Sequence, residues 1–132
     1  MWVKQTLGEQ RKLLSALLEP SMQEIAKCCT GEWYEEETLD TVLFEQFYRV
    51  PHIQLLYAID KLGRQISANI STYGKDASYR GQDLSRRPYS VSLYPKRHFM
   101  LSSVYISQTT GQPSISAVQP VINEQQFFGF VV

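Results

Sequence analysis

The sequence predicts an α+β domain in which N-terminal helices pack on a five-stranded antiparallel sheet. Two observations carry this. Apolar residues recur at helical spacing as far as Val50 and alternate with a period of two from Ile53 onward. The later apolar segments are joined by polar links of hairpin length, which pairs neighbouring strands antiparallel. A chain of 132 residues makes one domain with a real core. Its helical part covers about 1–50 and its sheet part about 53–132.

Val3, Leu7, Leu14, Leu17 and Leu18 mark a first helix over 3–18, which Pro20 is expected to end. Ser21 and Glu24 have the spacing of a capping box for a short second helix, closed by Gly31. The acidic stretch GEWYEEET then reads as an exposed connection, its charge well placed before a helix start. A third helix follows over Leu39 to Arg49. Leu39, Val42, Leu43, Phe47 and Val50 share one face, Asp40 and Glu45 point away, and Pro51 stops it.

Ile53 to Asp60 and Arg64 to Ile70 form a hairpin around Asp60-Lys61-Leu62-Gly63, with Gly63 at the position that tolerates positive φ. Ser71 to Arg80 is polar and reads as a loop. Asp83 is placed to cap a short helix beginning at Leu84 or Ser85, before Pro88. Three strands close the chain, at His98 to Ser107, Pro113 to Ile122 and Phe127 to Val132. The stretch Arg80 to Pro95 therefore interrupts the sheet as a crossover carrying arginines and tyrosines, a composition suited to a bend over a small-molecule pocket.

Composition removes several function classes. Thirteen basic and thirteen acidic residues cancel, which speaks against a general nucleic-acid or anionic-membrane binder. Charge is uneven along the chain, acidic from Glu32 to Glu45 and basic from Lys75 to Arg97. The basic run is either a solvated face or a local attraction for one carboxylate or phosphate. No apolar run approaches the ~20 residues of a membrane span. Cys28 and Cys29 are neighbours without metal-site spacing, and His52 and His98 stand alone, so no metal or cofactor is predicted. The cysteines read as helix-packing residues.

Four pieces of the second half carry a resemblance. They are YAIDKLGRQISANI (57–70), RGQDLSRRPYS (80–90), LSSVYISQTTGQPSISAVQPVI (101–122) and the closing FFGFVV. Together they resemble the Cache, or PDC, sensor domains of bacterial receptors, which are PAS-like. The resemblance covers about 53–132 well and the helices only in layout. It implies a small ligand, often an amino acid or carboxylate, held between the crossover and the sheet. By motif position it makes Arg87 and Tyr89 the first candidates for ligand contact and Tyr105 and Ser107 the second. Ser90 departs from relatives with a second aromatic there.

The chemistry of these residues agrees. A guanidinium holds a carboxylate through two parallel hydrogen bonds, and tyrosines supply apolar walls with a hydroxyl. The competing reading makes Arg87 a surface residue or a partner for Asp83, and gives Tyr89, Tyr105 and Ser107 packing roles only.

Three functions follow for comparison. The first is a non-catalytic small-molecule sensor in signal transduction. The second is a protein-interaction module with a vestigial pocket, dimerising through the first helix by way of Leu7 and Leu14. The third is an enzyme, for which only His98 beside Arg97 and Tyr94 offers a grouping, without a nucleophile–base pair or phosphate loop. A sensor of this kind works with a signalling partner or an output domain beyond Val132. The expected compartment is cytoplasmic for a complete chain and extracytoplasmic for a piece of a receptor.

Overall fold

The computed structural model describes residues 2–87, 98–102, 104–106 and 111–132, with side chains from Gly8 on. Helix α1 runs without a break from Trp2 to Cys29, with Pro20 inside it. The expected stop at Pro20 and the capping box at Ser21 are therefore corrected. Leu14, Leu18, Met22, Ile25, Ala26 and Cys29 continue one stripe through the proline and pack into the main core. Pro20 itself lies on the exposed side. Burial of the stripe offsets the hydrogen bond that proline removes.

A 3-10 turn over Thr30–Glu32 follows, and helix α2 spans Glu36–Gln46, ending in a second 3-10 turn at Phe47–Arg49. The helix starts three residues before its expected first residue because Glu36 and Glu37 occupy its first turn, where carboxylates suit the helix dipole. The acidic connection is not wholly exposed: Trp33 is buried, while Tyr34 to Thr38 after it face solvent. Asp40 is also corrected. It is buried, not solvent-facing.

The central sheet contains β1 (Ala58–Asp60), β8 (Gln126–Val131), β7 (Ala117–Asn123) and β4 (Met100–Leu101), in that spatial order and antiparallel throughout. The predicted first hairpin forms around Gly63, whose φ is +89°. Its return segment runs beside β1 and the residues just before it, through the isolated bridges Ile59–Gln65 and Leu56–Ile70, as a fifth member. Residues 71–80, expected as loop, instead form the hairpin of β2 (Asn69–Ser71) and β3 (Gly74–Asp76) and a 3-10 turn at Ala77–Tyr79. Asp76 closes that turn by accepting from the Ser78 N–H at 3.0 Å.

The long hairpin near the C-terminus is pinched in its middle. β4 pairs with β7, while β5 (Tyr105–Ile106) pairs with β6 (Pro113–Ser114) as a separate ladder. At the pinch the Ser102 N–H donates to the Ser116 carbonyl and the Ser116 N–H donates to Ser102 Oγ, both at 2.8 Å. Arg11 on α1 reaches the carbonyls of Ser102 and Leu101 at 3.1 and 3.2 Å, tying the helix to this edge.

The strands are apolar on both faces. Ala58, Val121 and Val131 pack with α1 and α2, and Ile59, Val118, Phe130 and Val132 form a second cluster on the opposite face. A sheet buried on both sides needs a cover on each. On the second face that cover includes the crossover.

Candidate functional site

The site is built on the sheet face turned away from the helices. Tyr57, Ile59, Val118, Phe130 and Val132 form its buried floor, and Leu84 from the crossover inserts into it. Tyr105, Met100, Phe127 and Leu55 pack half-buried against the same cluster. Tyr57 is held in line by reciprocal backbone hydrogen bonds with Val132 at 3.1 and 2.8 Å.

Three devices carry the crossover to this face. Arg80 is clasped by Asp40: its Nη2 donates to Asp40 Oδ2, and its Nη1 donates to the Ile66 carbonyl at 2.9 Å. The pairing with Asp40 raises the Arg80 pKa above the ordinary guanidinium value. The backbone then runs along the first hairpin. Gly81 N–H donates to the Gln65 carbonyl, Gln65 N–H to the Gln82 carbonyl and Leu84 N–H to the Gly63 carbonyl, each at 2.8 Å. Gly63 admits this close pass, since a Cβ there would lie 3.0–3.2 Å from Ser85.

Asp83 then closes a turn, not the predicted short helix. Its Oδ1 accepts from the Ser85 N–H at 2.9 Å, and the Arg87 N–H donates to the Leu84 carbonyl at 3.1 Å. The Asp83 carboxyl is held below the usual carboxylate range, first by the Ser85 hydroxyl and N–H and then by the charges of Arg64 and Arg86. Among the described residues no ion pair within 4.0 Å joins Asp83 to Arg87. Arg87 is half-buried one turn beyond Leu84.

Of the four residues singled out from sequence, the described structure contains Arg87 and Tyr105. Both border the apolar cluster, Arg87 through the Leu84 turn and Tyr105 directly. The Tyr105 hydroxyl is hydrogen-bonded to Ser116 Oγ, so its phenol is fixed by the pinch in the hairpin. Tyr89 and Ser107 lie outside the described residues. Tyr57 and Leu84 were not singled out. The signal for Tyr57 was the unbroken apolar run Leu55-Leu56-Tyr57-Ala58-Ile59, which marks a strand covered on both faces.

The face joins a closely packed apolar cluster to a half-buried arginine one turn beyond Leu84. Apolar surface suits a hydrocarbon side chain, and a guanidinium suits a carboxylate. Among the described residues no group of three or more histidine, cysteine or acidic side chains is placed to hold a metal. Nor is any described helix long and apolar enough to cross a membrane.

No family model matches the sequence, and no curated protein matches it. Solved structures do match in fold. An extracellular ligand-binding receptor from Desulfohalobium retbaense is 18% identical, with a TM-score of 0.75 over 97% of this chain and 23% of its own. The sensory domain of the Campylobacter jejuni chemoreceptor Tlp3, with isoleucine bound, is 11% identical, with a TM-score of 0.72 over 96% of this chain and 52% of its own. The sensor domain of the Vibrio cholerae histidine kinase DctB is 19% identical, with a TM-score of 0.55 over 98% of this chain and 48% of its own. The chain thus spans between about a quarter and half of the length of these proteins. It shares with these domains a fold of helices on an antiparallel sheet.

Proposed function

We propose that this domain is a non-catalytic sensor of a small organic molecule, in signal transduction, of the Cache type its sequence resembles. The observation that carries the proposal is a sheet buried on both faces, whose second face is covered in part by a tethered crossover that carries a half-buried arginine. The neighbours in fold support the ligand class: Tlp3 is described with isoleucine, Mlp24 with asparagine and PctC of Pseudomonas aeruginosa with γ-aminobutyrate. Each of these ligands carries a carboxylate. Arg87 would take the carboxylate, with Tyr89, Tyr105 and Ser107 around it and the Tyr57–Phe130 floor receiving the side chain.

Signalling requires the ligand to favour one of two states. Here ligand binding would shift the packing of the Leu84–Arg87 turn, beyond the Asp40–Arg80 clasp, against the sheet, and the output is a signalling partner or a further domain. A homodimer through α1 fits the same scheme. Leu14 packs into the domain's own core, so Leu13 and Leu17, 71% and 56% exposed, are its contact residues.

A thermal-shift screen against the proteinogenic amino acids and short carboxylates tests the proposal. At least one compound raises Tm, and Arg87→Ala removes the rise. Unchanged stabilisation in Arg87→Ala rejects the assigned role, and no stabilising compound rejects the sensor.

A further inference from the structure

A cleft of about 650 Å³ opens on the helix side of the sheet, away from the Arg87 face. Two features of the backbone build its floor. The β7–β8 ladder slips between Val121 and Ile122, so Val121 faces Gly129 and Ile122 faces Phe127, with Phe128 as the extra residue between. The resulting bulge re-aims Phe128, which packs with the helix-side core, while Phe127 and Phe130 remain on the other face. Gly129 lets Trp33 settle against the strand, since a Cβ there would come within 2.8 Å of the indole and 2.3 Å of the Ile59 carbonyl.

Trp33 and Tyr34 both lean on Phe128, with ring centroids 6.2 and 5.9 Å apart and planes tilted by 53° and 59°. Ile66 lines the cleft beside these rings. Tyr34 nevertheless remains 76% exposed. The volume is within the range for small-molecule pockets, roughly 300–1,000 Å³.

The charges around the cleft discriminate between ligands. Arg80 is taken by Asp40, and Glu36 lies 3.8 Å from the Arg80 Nε. Asp60 spends Oδ1 on the N–H groups of Leu62 and Arg64 at 2.9 and 3.0 Å. Arg64 differs. Its Nη1 donates to the Gly81 carbonyl at 3.3 Å and its charge acts on Asp83, yet among the described residues no carboxylate lies within 4.0 Å of it. Lys61, Arg64 and Arg80 line the cleft against Glu36 and Asp60, three cations to two carboxylates, and Arg64 keeps guanidinium N–H groups for an anion.

We propose that this cleft binds a small aromatic carboxylate, its ring on Trp33, Phe128 and Tyr34 and its carboxylate on Arg64. The site is separate from the Arg87 face and does not depend on its function. An indole or benzyl ring complements the aromatic wall by stacking and edge contacts, and a guanidinium recognises the carboxylate bidentately.

Trp33 reports directly on the cleft, and Trp2→Phe leaves it as the sole indole. In the Trp2→Phe protein, tryptophan emission is followed while phenylacetate, phenethylamine or acetate is added. Phenylacetate is expected to change the emission saturably. Arg64→Gln is expected to weaken its binding at least about tenfold, the loss of one charge-assisted contact, whereas Arg87→Ala leaves it unchanged. Phenethylamine and acetate are expected to bind at least about tenfold more weakly, since each lacks one of the two recognised groups. The proposal is overturned by the absence of any response at millimolar phenylacetate, by equal or tighter binding of phenethylamine, or by loss of binding in Arg87→Ala with Arg64→Gln unaffected.

Discussion

Asp40 and Arg80, forty residues apart in sequence, form an ion pair that fastens helix α2 to the start of the crossover. The pair also gathers two backbone groups. Asp40 Oδ1 accepts from the Ala68 N–H at 2.9 Å, and Arg80 Nη1 donates to the Ile66 carbonyl at 2.9 Å. One carboxylate thus holds a helix, the return strand of the first hairpin and the crossover together. The Asp40 side chain is 7% exposed and that of Arg80 20%, so removing one partner strands the other in a poorly hydrated place.

Asp40→Ala is expected to cost about 3 kcal/mol of stability, as for a broken buried pair. Urea denaturation of Asp40→Ala, Arg80→Ala and the double variant measures it. The two single losses do not add, because each already abolishes the pair. Additive losses show that the two side chains act independently.

Gly129→Ala tests the contact between Trp33 and strand β8. The added methyl meets the Ile59 carbonyl and the indole, and only the indole can retreat. A loss on the order of 3 kcal/mol or more is expected, with Trp33 emission shifted to the red. Emission unchanged from the parent, measured in Trp2→Phe, contradicts this packing.

Pro20 offers the opposite sign. It stands inside α1 on the exposed side, where proline removes a hydrogen bond and crowds the preceding turn. Pro20→Ala is expected to raise stability by about 1 kcal/mol or more, read from the midpoint of denaturation. A lower midpoint means that the proline fixes a bend the packing of α1 needs.

The fold was legible where the periodicity was clean. The hairpin around Gly63, the three C-terminal strands and the packing of apolar helix faces on the sheet all follow from spacing. The errors have local causes. Pro20 signals a helix end, but six apolar residues spanning it outweigh that signal. Asp40 reads as a solvent-facing acid because its partners Ala68 and Arg80 are distant in sequence. Trp33 reads as loop because nothing near it shows that Gly129 leaves it room. At the candidate site, Arg87 was singled out through the Arg-Pro-Tyr motif, and its role there is the proposal. The helix-side cleft escaped because a β-bulge, which alternation does not reveal, turns Phe128 toward it.

Cys29 supplies a pH-dependent prediction. Burial, with a smaller contribution from the neighbouring Cys28, pushes its thiol from an ordinary 9.0 up to about 12. The folded value is the higher one, so the folded state keeps a proton that the unfolded chain gives up. Stability from this group is therefore full below pH 9.0 and declines as pH rises from 9.0 toward about 12. Cys29→Ala flattens that alkaline decline. At pH 8 a thiol reagent is expected to modify Cys28 in the native protein, reaching Cys29 only in denaturant. Rapid native modification of both thiols excludes the buried setting.

The central claim is that Arg87 anchors a small carboxylate on the sheet face opposite the helices. Calorimetric titration of the best stabilising amino acid or carboxylate into the native protein and into Arg87→Ala tests it most directly. The account predicts saturable binding to one site on the Arg87 face of the native protein. In Arg87→Ala the affinity falls at least about tenfold, as expected for one lost charge-assisted contact. Equal affinity in the two proteins contradicts it.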